Sequence, residues 1–553
     1  MTAGDRLDAE RSRATPAPSE RFHEPWPGPR PLVWAPRAHT VEVVLPDDDG
    51  ATARRPMRLV GAHEPGYWRA DDRFPHGTAY SFSVDGGPAL TDPAAASLPA
   101  GVHGPGRILD ETFGWHDDHW AGTDLAQGAL LHLEIPTVTA EGTLDAAARL
   151  LPAVAALGVD GVELSPVAAF DPAAGPQAGV RLFAVHEPYG GSRALQRFVD
   201  TAHRAGLAVV LTLPHRWAVA DPLRLHHFGP YSAGARIRAR GVADGGADAP
   251  RINLDGSGSR GPRDLFIADA RRWLRDFHVD GLLLDVEVLV DRSSVPFLGE
   301  LGEAVQDVAV RTGRPRTLLT DGPGLSDRLT TIVHRLLTDG VDGRAGDLQR
   351  LAEETGTPAR LPVGLRRALR ATQRSGGFVG DLARLPAATR AAPWSRTDGT
   401  PQTMSAGDHA ALLAFVLLAG SPAVLDTERV PVHRDTPEAR RLTGWTRRLL
   451  ELRPAALADF ARPLDVTAYD GVLTVRRGGT AVVLLADPAV HHVDLSGRLL
   501  PPIGDWRVAA AWDEDDTHLV AGALRAPRRS VVVLRADARP VAADLRTPST
   551  EPS

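Results

Sequence analysis

The feature that most constrains this chain is a repeated step: an amphipathic helix, a stop, then a short apolar strand. Thr143 to Leu157 reads as a helix that stops at Gly158 and leads to Val159-Asp160-Gly161-Val162-Glu163-Leu164. Ser192 to Arg204 stops at Gly206 and leads to Leu207-Ala208-Val209-Val210-Leu211-Thr212-Leu213. Asp264 to Asp276 leads to Phe277-His278-Val279-Asp280-Gly281-Leu282-Leu283-Leu284-Asp285, and Pro296 to Arg311, ending near Gly313, leads to Thr317-Leu318-Leu319-Thr320-Asp321. Glycine is the usual helix C-terminal stop because it accepts the left-handed conformation. Strands that read as continuous apolar runs are buried on both faces, which predicts a parallel sheet. Over roughly 330 residues these units predict an α/β fold, a (β/α)8 TIM barrel. In that architecture the chemistry sits at the C-terminal strand ends, so Asp285 becomes a candidate carboxylate.

The flanks have a different rhythm. Thr40 to Leu45 and Tyr80 to Val84 alternate and are followed by Asp/Gly turns, which predicts an N-terminal β-sandwich over residues 26–115. After Arg453-Pro454, the runs Val472-Leu473-Thr474-Val475, Ala481 to Leu485 and Ser530 to Leu534 predict a C-terminal antiparallel β domain over residues 456–540. The barrel is expected over 116–455, with loose tails at 1–25 and 541–553.

With 553 residues, 43% hydrophobic and 24% charged, the chain has the composition of a soluble globular protein of several domains. Its net charge of −7 argues against a nucleic-acid partner. All 62 basic residues are arginine and cysteine is absent, which removes disulfides and thiolate chemistry. Met1 to Glu24 has no apolar run of a secretory signal, and no stretch of about 18 apolar residues suggests a membrane span. The expectation is a cytoplasmic protein without a membrane partner.

Several local stretches, in order, resemble glycoside hydrolase family 13, the α-amylase family. They are Val33-Trp34-Ala35-Pro36, Thr91-Asp92-Pro93-Ala94, Gly101-Val102-His103-Gly104-Pro105, Thr139-Ala140-Glu141-Gly142-Thr143 and Val162-Glu163-Leu164-Ser165-Pro166-Val167. His186-Glu187-Pro188-Tyr189-Gly190-Gly191, Phe228-Gly229-Pro230-Tyr231 and Asn253-Leu254-Asp255-Gly256 continue the series. Within the family the likeness is greatest to the branch that acts on maltooligosyl-trehalose and releases trehalose.

The resemblance implies a retaining mechanism in which two carboxyl groups lie about 5 Å apart, one as nucleophile and one as acid. It places Asp285 at the nucleophile, Asp321 at the acid, where the family has glutamate, and Asp381 at the third carboxylate. Leu283 stands where the family has an arginine two residues before the nucleophile. Gly380 stands in place of a histidine, Gln177 in place of a stacking tyrosine, and Thr212, Arg216 and Trp217 in place of an aspartate and an Asn-His pair. Loss of the cation at 283 is expected to raise the nucleophile's pKa. An aspartate at 321 is one methylene short, and a displacement of about 1 Å can cost on the order of 100-fold in rate. His215 and Trp217 are expected to contact sugar, and Glu287 is a substitute carboxylate beside Asp285. Glu287 also reads as an ordinary strand-edge residue, and His226-His227 as polar surface rather than metal ligands.

Three readings follow. In the first, the chain binds an α-glucan or maltooligosyl-trehalose with hydrolysis lost or strongly reduced. In the second, it is an active retaining α-glucan hydrolase. In the third, it is a protein-interaction scaffold whose pocket is plugged by Leu283 and Trp217. None implies a cofactor or a metal.

Overall fold

The computed structural model describes residues 26–46, 52–60, 66–237, 249–285, 289–321, 387–390, 405–419, 423–427, 430–459, 462, 465–469, 472–485, 492–495, 499–500, 505–527 and 530–536. Its elements fall into two compact units. The first holds an N-terminal sheet and a barrel.

The N-terminal strands are β1 (Leu32–Trp34), β2 (Val41–Pro46), β3 (Thr52–Val60), β4 (Tyr67–Ala70), β5 (Ala79–Val84) and β6 (Gly106–Arg107). They form a six-stranded antiparallel sheet in the order β1-β4-β3-β2-β5-β6. Val41, Val43 and Phe82 bury their side chains, while β3 is exposed along most of its length. The sheet is keyed to the helix Arg260–Asp276. A Cβ added to Gly261 would fall inside the Trp34 indole, so only glycine permits this approach. The Tyr67 hydroxyl donates to Asp264 at 2.7 Å, and Trp34 meets Tyr231 edge-on at 5.4 Å.

The barrel strands are β7 (Ala129–Leu133), β8 (Gly161–Leu164), β11 (Ala208–Leu213), β14 (Gly281–Leu284), β15 (Thr317–Asp321), β16 (Ala387–Arg390) and β17 (Ala423–Asp426). Two small antiparallel pairs, β9 (Ala168–Phe170) with β10 (Val180–Val185) and β12 (Ser232–Ile237) with β13 (Ala249–Ile252), project between barrel units. The seven described barrel strands are all parallel and close in the order β11-β14-β15-β16-β17-β7-β8. The predicted helix over 143–157 is two helices, Leu144–Ala148 and Leu151–Leu157. Pro152 lies in the first turn of the second, where its missing N–H costs nothing, but it could not continue the first. Gly158 and Gly313 cap their helices at φ 91° and 66°.

The second unit holds the helices Ala406–Ala419 and Pro437–Leu457 and the C-terminal strands. Trp445 fixes one helix to the other by donating to the Ala410 carbonyl at 3.0 Å. Five strands, β18 (Asp465–Tyr469), β19 (Val472–Arg477), β20 (Thr480–Leu485), β22 (Trp506–Ala511) and β25 (Val531–Ala536), pair antiparallel in the order β18-β19-β20-β25-β22. A three-stranded sheet has the order β21 (His492–Asp494), β24 (Ala523–Arg525), β23 (His518–Val520). Val483, Leu485, Leu495, Leu524 and Val532 are core between them. No helix among the described residues is long and apolar enough to cross a membrane.

At the N-terminal side of the barrel strands lies a buried charge cluster. Asp280 precedes β14 and accepts from the backbone N–H of Val209, His203 Nε2 and Trp120 Nε1 at 2.9, 2.9 and 2.8 Å. His203 Nδ1 reaches Asp117 at 2.9 Å, and Asp117 also accepts from His278 and Arg314, each at 2.8 Å. Burial alone would lower the His203 pKa, but its bonds to both aspartates outweigh it and raise the value above that of an ordinary histidine. Burial alone would raise the Asp117 pKa, but the donors from His203, Arg314 and His278 hold it far below the usual carboxylate range.

His203 therefore contributes stability that is fully present below its unfolded pKa of about 6.5 and is lost as pH rises through the raised folded value. Denaturant titrations from about pH 6 to 9 should show this decline, and His203→Gln should flatten it. The contribution of Asp117 has the opposite sense, disappearing only as pH falls through its depressed value. Asp117→Ala leaves three donors without their shared anion and should lower the unfolding free energy by roughly 3–5 kcal/mol. A loss under about 1 kcal/mol in the same titration would show the cluster to be dispensable.

Candidate active site

Side chains alternate along a strand, so residues two apart share a face. Leu130, Val210, Leu283, Leu319 and Val424 form an apolar layer inside the barrel, closed with Leu125 and Ala208. Two residues further on, toward the C-terminal mouth, stand His132, Thr212, Asp285 and Asp426. The mouth is polar because the strands continue one residue pair beyond the core.

Asp285 follows β14 and is half-buried. Arg216, in the turn His215–Trp217 after β11, donates to Asp285 Oδ2 from Nε at 2.9 Å and also from a terminal guanidinium nitrogen. The Arg216 side chain is 14% exposed and that of Asp285 30%. The expectation of a nucleophile without a cation is therefore corrected. Leu283 supplies no cation, but Arg216 reaches the same carboxylate from the neighbouring strand end.

Leu283 needs a second correction. It is 1% exposed and belongs to the apolar layer, so it neither contacts a ligand at the mouth nor plugs it. Apolar burial on a central strand accounts for it fully.

His215 is also displaced from its expected role. Its side chain is fully buried, edge-on to Phe266 of the helix Arg260–Asp276 at 4.6 Å. Neither ring nitrogen has a hydrogen-bond partner among the described residues. Burial pushes its pKa down to about 3, which keeps the ring neutral. Its neighbour Trp217 is partly exposed at the strand end. Gln177 is exposed in the turn Pro176–Ala178, which lies beside the turn His215–Trp217. Trp217 and Gln177 thus belong to adjoining walls.

Asp321 is the last residue of β15, where its backbone pairs with Ala388 of β16. Asp381, Gly380 and Glu287 lie outside the described residues. His226 and His227 lie with their rings tilted 33° at 4.3 Å in the turn Leu225–His227. Among the described residues no group of three or more His, Cys, Asp or Glu is arranged to hold a metal ion.

One constellation was missed at the sequence level. Glu163, in β8, is fully buried inside the barrel. Its Oε2 accepts from His132 Nδ1 at 2.5 Å, and its Oε1 accepts from the Thr212 hydroxyl. The signal was present: one carboxylate inside the apolar run Val162-Glu163-Leu164 must find partners, since a buried carboxylate without them is costly.

No family model matches the chain. Curated relatives do. The chain is 40% identical over 295 residues to the malto-oligosyltrehalose trehalohydrolase of Arthrobacter ramosus, covering 52% of this chain and 49% of that protein. It is 34% identical over 306 residues to the enzyme of the same name from Mycobacterium tuberculosis H37Rv, covering 54% and 50%. The chain thus spans about half the length of these relatives. Among solved structures, a putative α-amylase from Salmonella typhimurium superposes with a TM-score of 0.67 at 20% identity, over 92% of this chain and 97% of that one. A pullulanase from Paenibacillus barengoltzii, in its apo form, gives 0.61 at 17% identity over 92% of each. The fold is that of the α-amylase and pullulanase structures, and over about half of its length the chain is similar to malto-oligosyltrehalose trehalohydrolases.

Proposed function

We propose that this protein binds an α-glucan of the maltooligosyl-trehalose type at the barrel mouth and that its glycosidic hydrolysis is strongly reduced. The observation that carries the reading is the Arg216–Asp285 contact. Two N–H groups of one guanidinium converge on a single carboxylate oxygen, Oδ2. A retaining nucleophile must bring a carboxylate oxygen to the anomeric carbon, with an acid about 5 Å away. Here one oxygen is committed to a cation, and the strand-end residue at the acid position is the shorter Asp321. His215, buried and neutral, is not a proton donor for the leaving oxygen at neutral pH. The partly exposed Trp217 and the adjoining Gln177 turn support glucan binding, because an aromatic face can pack on a sugar ring. Relatives and fold neighbours support the same ligand class: their names include malto-oligosyltrehalose trehalohydrolase, and a pullulanase among them was solved with maltotetraose.

The same contact favours a second reading. A guanidinium hydrogen-bonded to a carboxylate holds it in one orientation, which an active nucleophile requires. Rate measurements separate the two. Purified protein mixed with maltooligosyl-trehalose should bind it by calorimetry and release trehalose far more slowly than about 1 per second. Release at an ordinary rate of about 1 to 1000 per second would overturn the first reading and establish the second. Asp285→Asn should then abolish that release.

The ion pair itself is checked by a double-mutant cycle of Arg216→Gln and Asp285→Asn. Denaturation of the four proteins should give a coupling energy of roughly 1–3 kcal/mol. A coupling near zero means that the contact does not hold Asp285, and the argument for reduced hydrolysis loses its main support.

A further inference from the structure

We infer that a monovalent inorganic anion such as chloride binds at the N-terminal end of the barrel, on the side edge of the Arg316 guanidinium. The site lies at the end of the strands opposite the mouth and does not rest on the glucan reading.

Arg316 precedes β15 and Asp280 precedes β14. The Asp280 carbonyl accepts from the Thr317 N–H at 3.0 Å, so the two residues stand side by side at the strand starts. The Arg316 side chain is 0% exposed. Its Nη1 donates to Asp280 Oδ1 at 3.3 Å and to the Pro315 carbonyl at 3.5 Å. Nε and Nη2 have no hydrogen-bond partner among the described residues.

Those two nitrogens form the planar edge with which a guanidinium grips an anion through parallel N–H groups. The same edge holds a carboxylate elsewhere in this chain. Arg197 meets Asp145 through it at 3.0 and 2.6 Å, and Arg275 meets Asp276 at 2.6 and 2.8 Å. Both of those arginines are half-exposed, where water is an alternative partner. Arg316 has no such alternative, and buried donors without an acceptor are costly.

The two carboxylates of the cluster are already engaged. Asp280 Oδ1 accepts from Trp120 Nε1 at 2.8 Å as well as from Arg316, and Oδ2 accepts from His203 Nε2 and the Val209 N–H, each at 2.9 Å. Asp117 Oδ2 accepts from His203, His278 and Arg314, and Oδ1 from Arg314 at 3.5 Å. A water on the Arg316 edge accepts from it but brings two protons, and each of these carboxylate oxygens already has a donor. A monatomic anion brings acceptor capacity alone.

Charge runs the same way. Burial lowers the Arg316 pKa and the neighbouring Arg314 lowers it too, against the pull of Asp280 and Asp117. Both ring nitrogens of His203 meet carboxylates, so the ring carries two protons and a positive charge. Two aspartates match two arginines, and His203 leaves the cluster with one positive charge in excess. One monovalent anion neutralises it and ties the start of β15 to that of β14.

Crystals of the parent protein grown in sodium bromide, with data collected at the bromine absorption edge, test the site directly. An anomalous peak is expected within hydrogen-bond reach of Arg316 Nε and Nη2. Denaturant titrations at fixed ionic strength, with chloride exchanged for gluconate, should show one saturable rise in stability. Chloride at about ten times its Kd should lower the unfolding constant on the order of 10-fold. Arg316→Gln should abolish that dependence; if this variant does not fold, the bromide peak and the chloride titration of the parent decide. Ordered density on the edge without an anomalous signal, as a water gives, overturns the inference. A bromide peak with no saturable response to chloride, an adventitious ion only, overturns it as well.

Discussion

The closed ring of parallel strands is the constraint on which the rest depends. Once β17 pairs with β7, every strand has its backbone satisfied on both sides and its side chains divided between an interior and an exterior. The interior is narrow, and five aliphatic side chains from alternate positions fill one level of it. Whatever follows them on the same face has no room below and must point to the mouth. That geometry, rather than any local preference of aspartate, brings Asp285 to its place. It also accounts for Leu283: at its level the barrel asks only for apolar volume.

Charge is distributed unequally about this ring. Below it, Asp117 and Asp280 share His203, His278, Arg314 and Arg316 in a compact cluster. Signs alternate there from neighbour to neighbour, which suits a group of buried ions whose role is to hold loops against strand ends. Above the ring the contacts come in smaller sets. Arg216 meets Asp285, and His132 meets Glu163. Of the upper groups Arg216, Asp285 and His132 are partly solvated and Glu163 is buried, so contacts at the first three are open to solvent on one side. The lower groups cannot exchange partners without opening the protein.

The fold was largely legible in the sequence because its signals are periodic. Continuous apolar runs after glycine-stopped helices announced the parallel strands, and the strand ends at Asp285 and Asp321 fell where they were expected. The site was less legible because it is assembled across strands. Arg216 is far from Asp285 in sequence, and only the β11–β14 pairing makes them neighbours. Counting matched positions therefore found a missing cation at 283 and did not find its substitute. His215 shows the converse error. It stands beside Arg216 in the chain, but the tight turn directs its ring to Phe266 and away from the mouth. Glu163 was hidden by its own motif: a residue inside a strand signature reads as scaffold until its partners are seen.

The packing of Trp34 on Gly261 has a consequence for how this chain can vary. The indole occupies the volume where any other side chain at 261 would begin, and Tyr67 supplies the hydroxyl that Asp264 accepts. The helix carrying Gly261 and Asp264 runs directly into the strand that ends at Asp285. A side chain at 261 therefore requires a smaller residue at 34. A chain begun at the barrel would present an open aromatic slot, and Asp264 would lose the Tyr67 hydroxyl while keeping Arg260. The small N-terminal sheet is in this sense a splint for the strand of Asp285, and inheritance of the two as a pair is written into their contact.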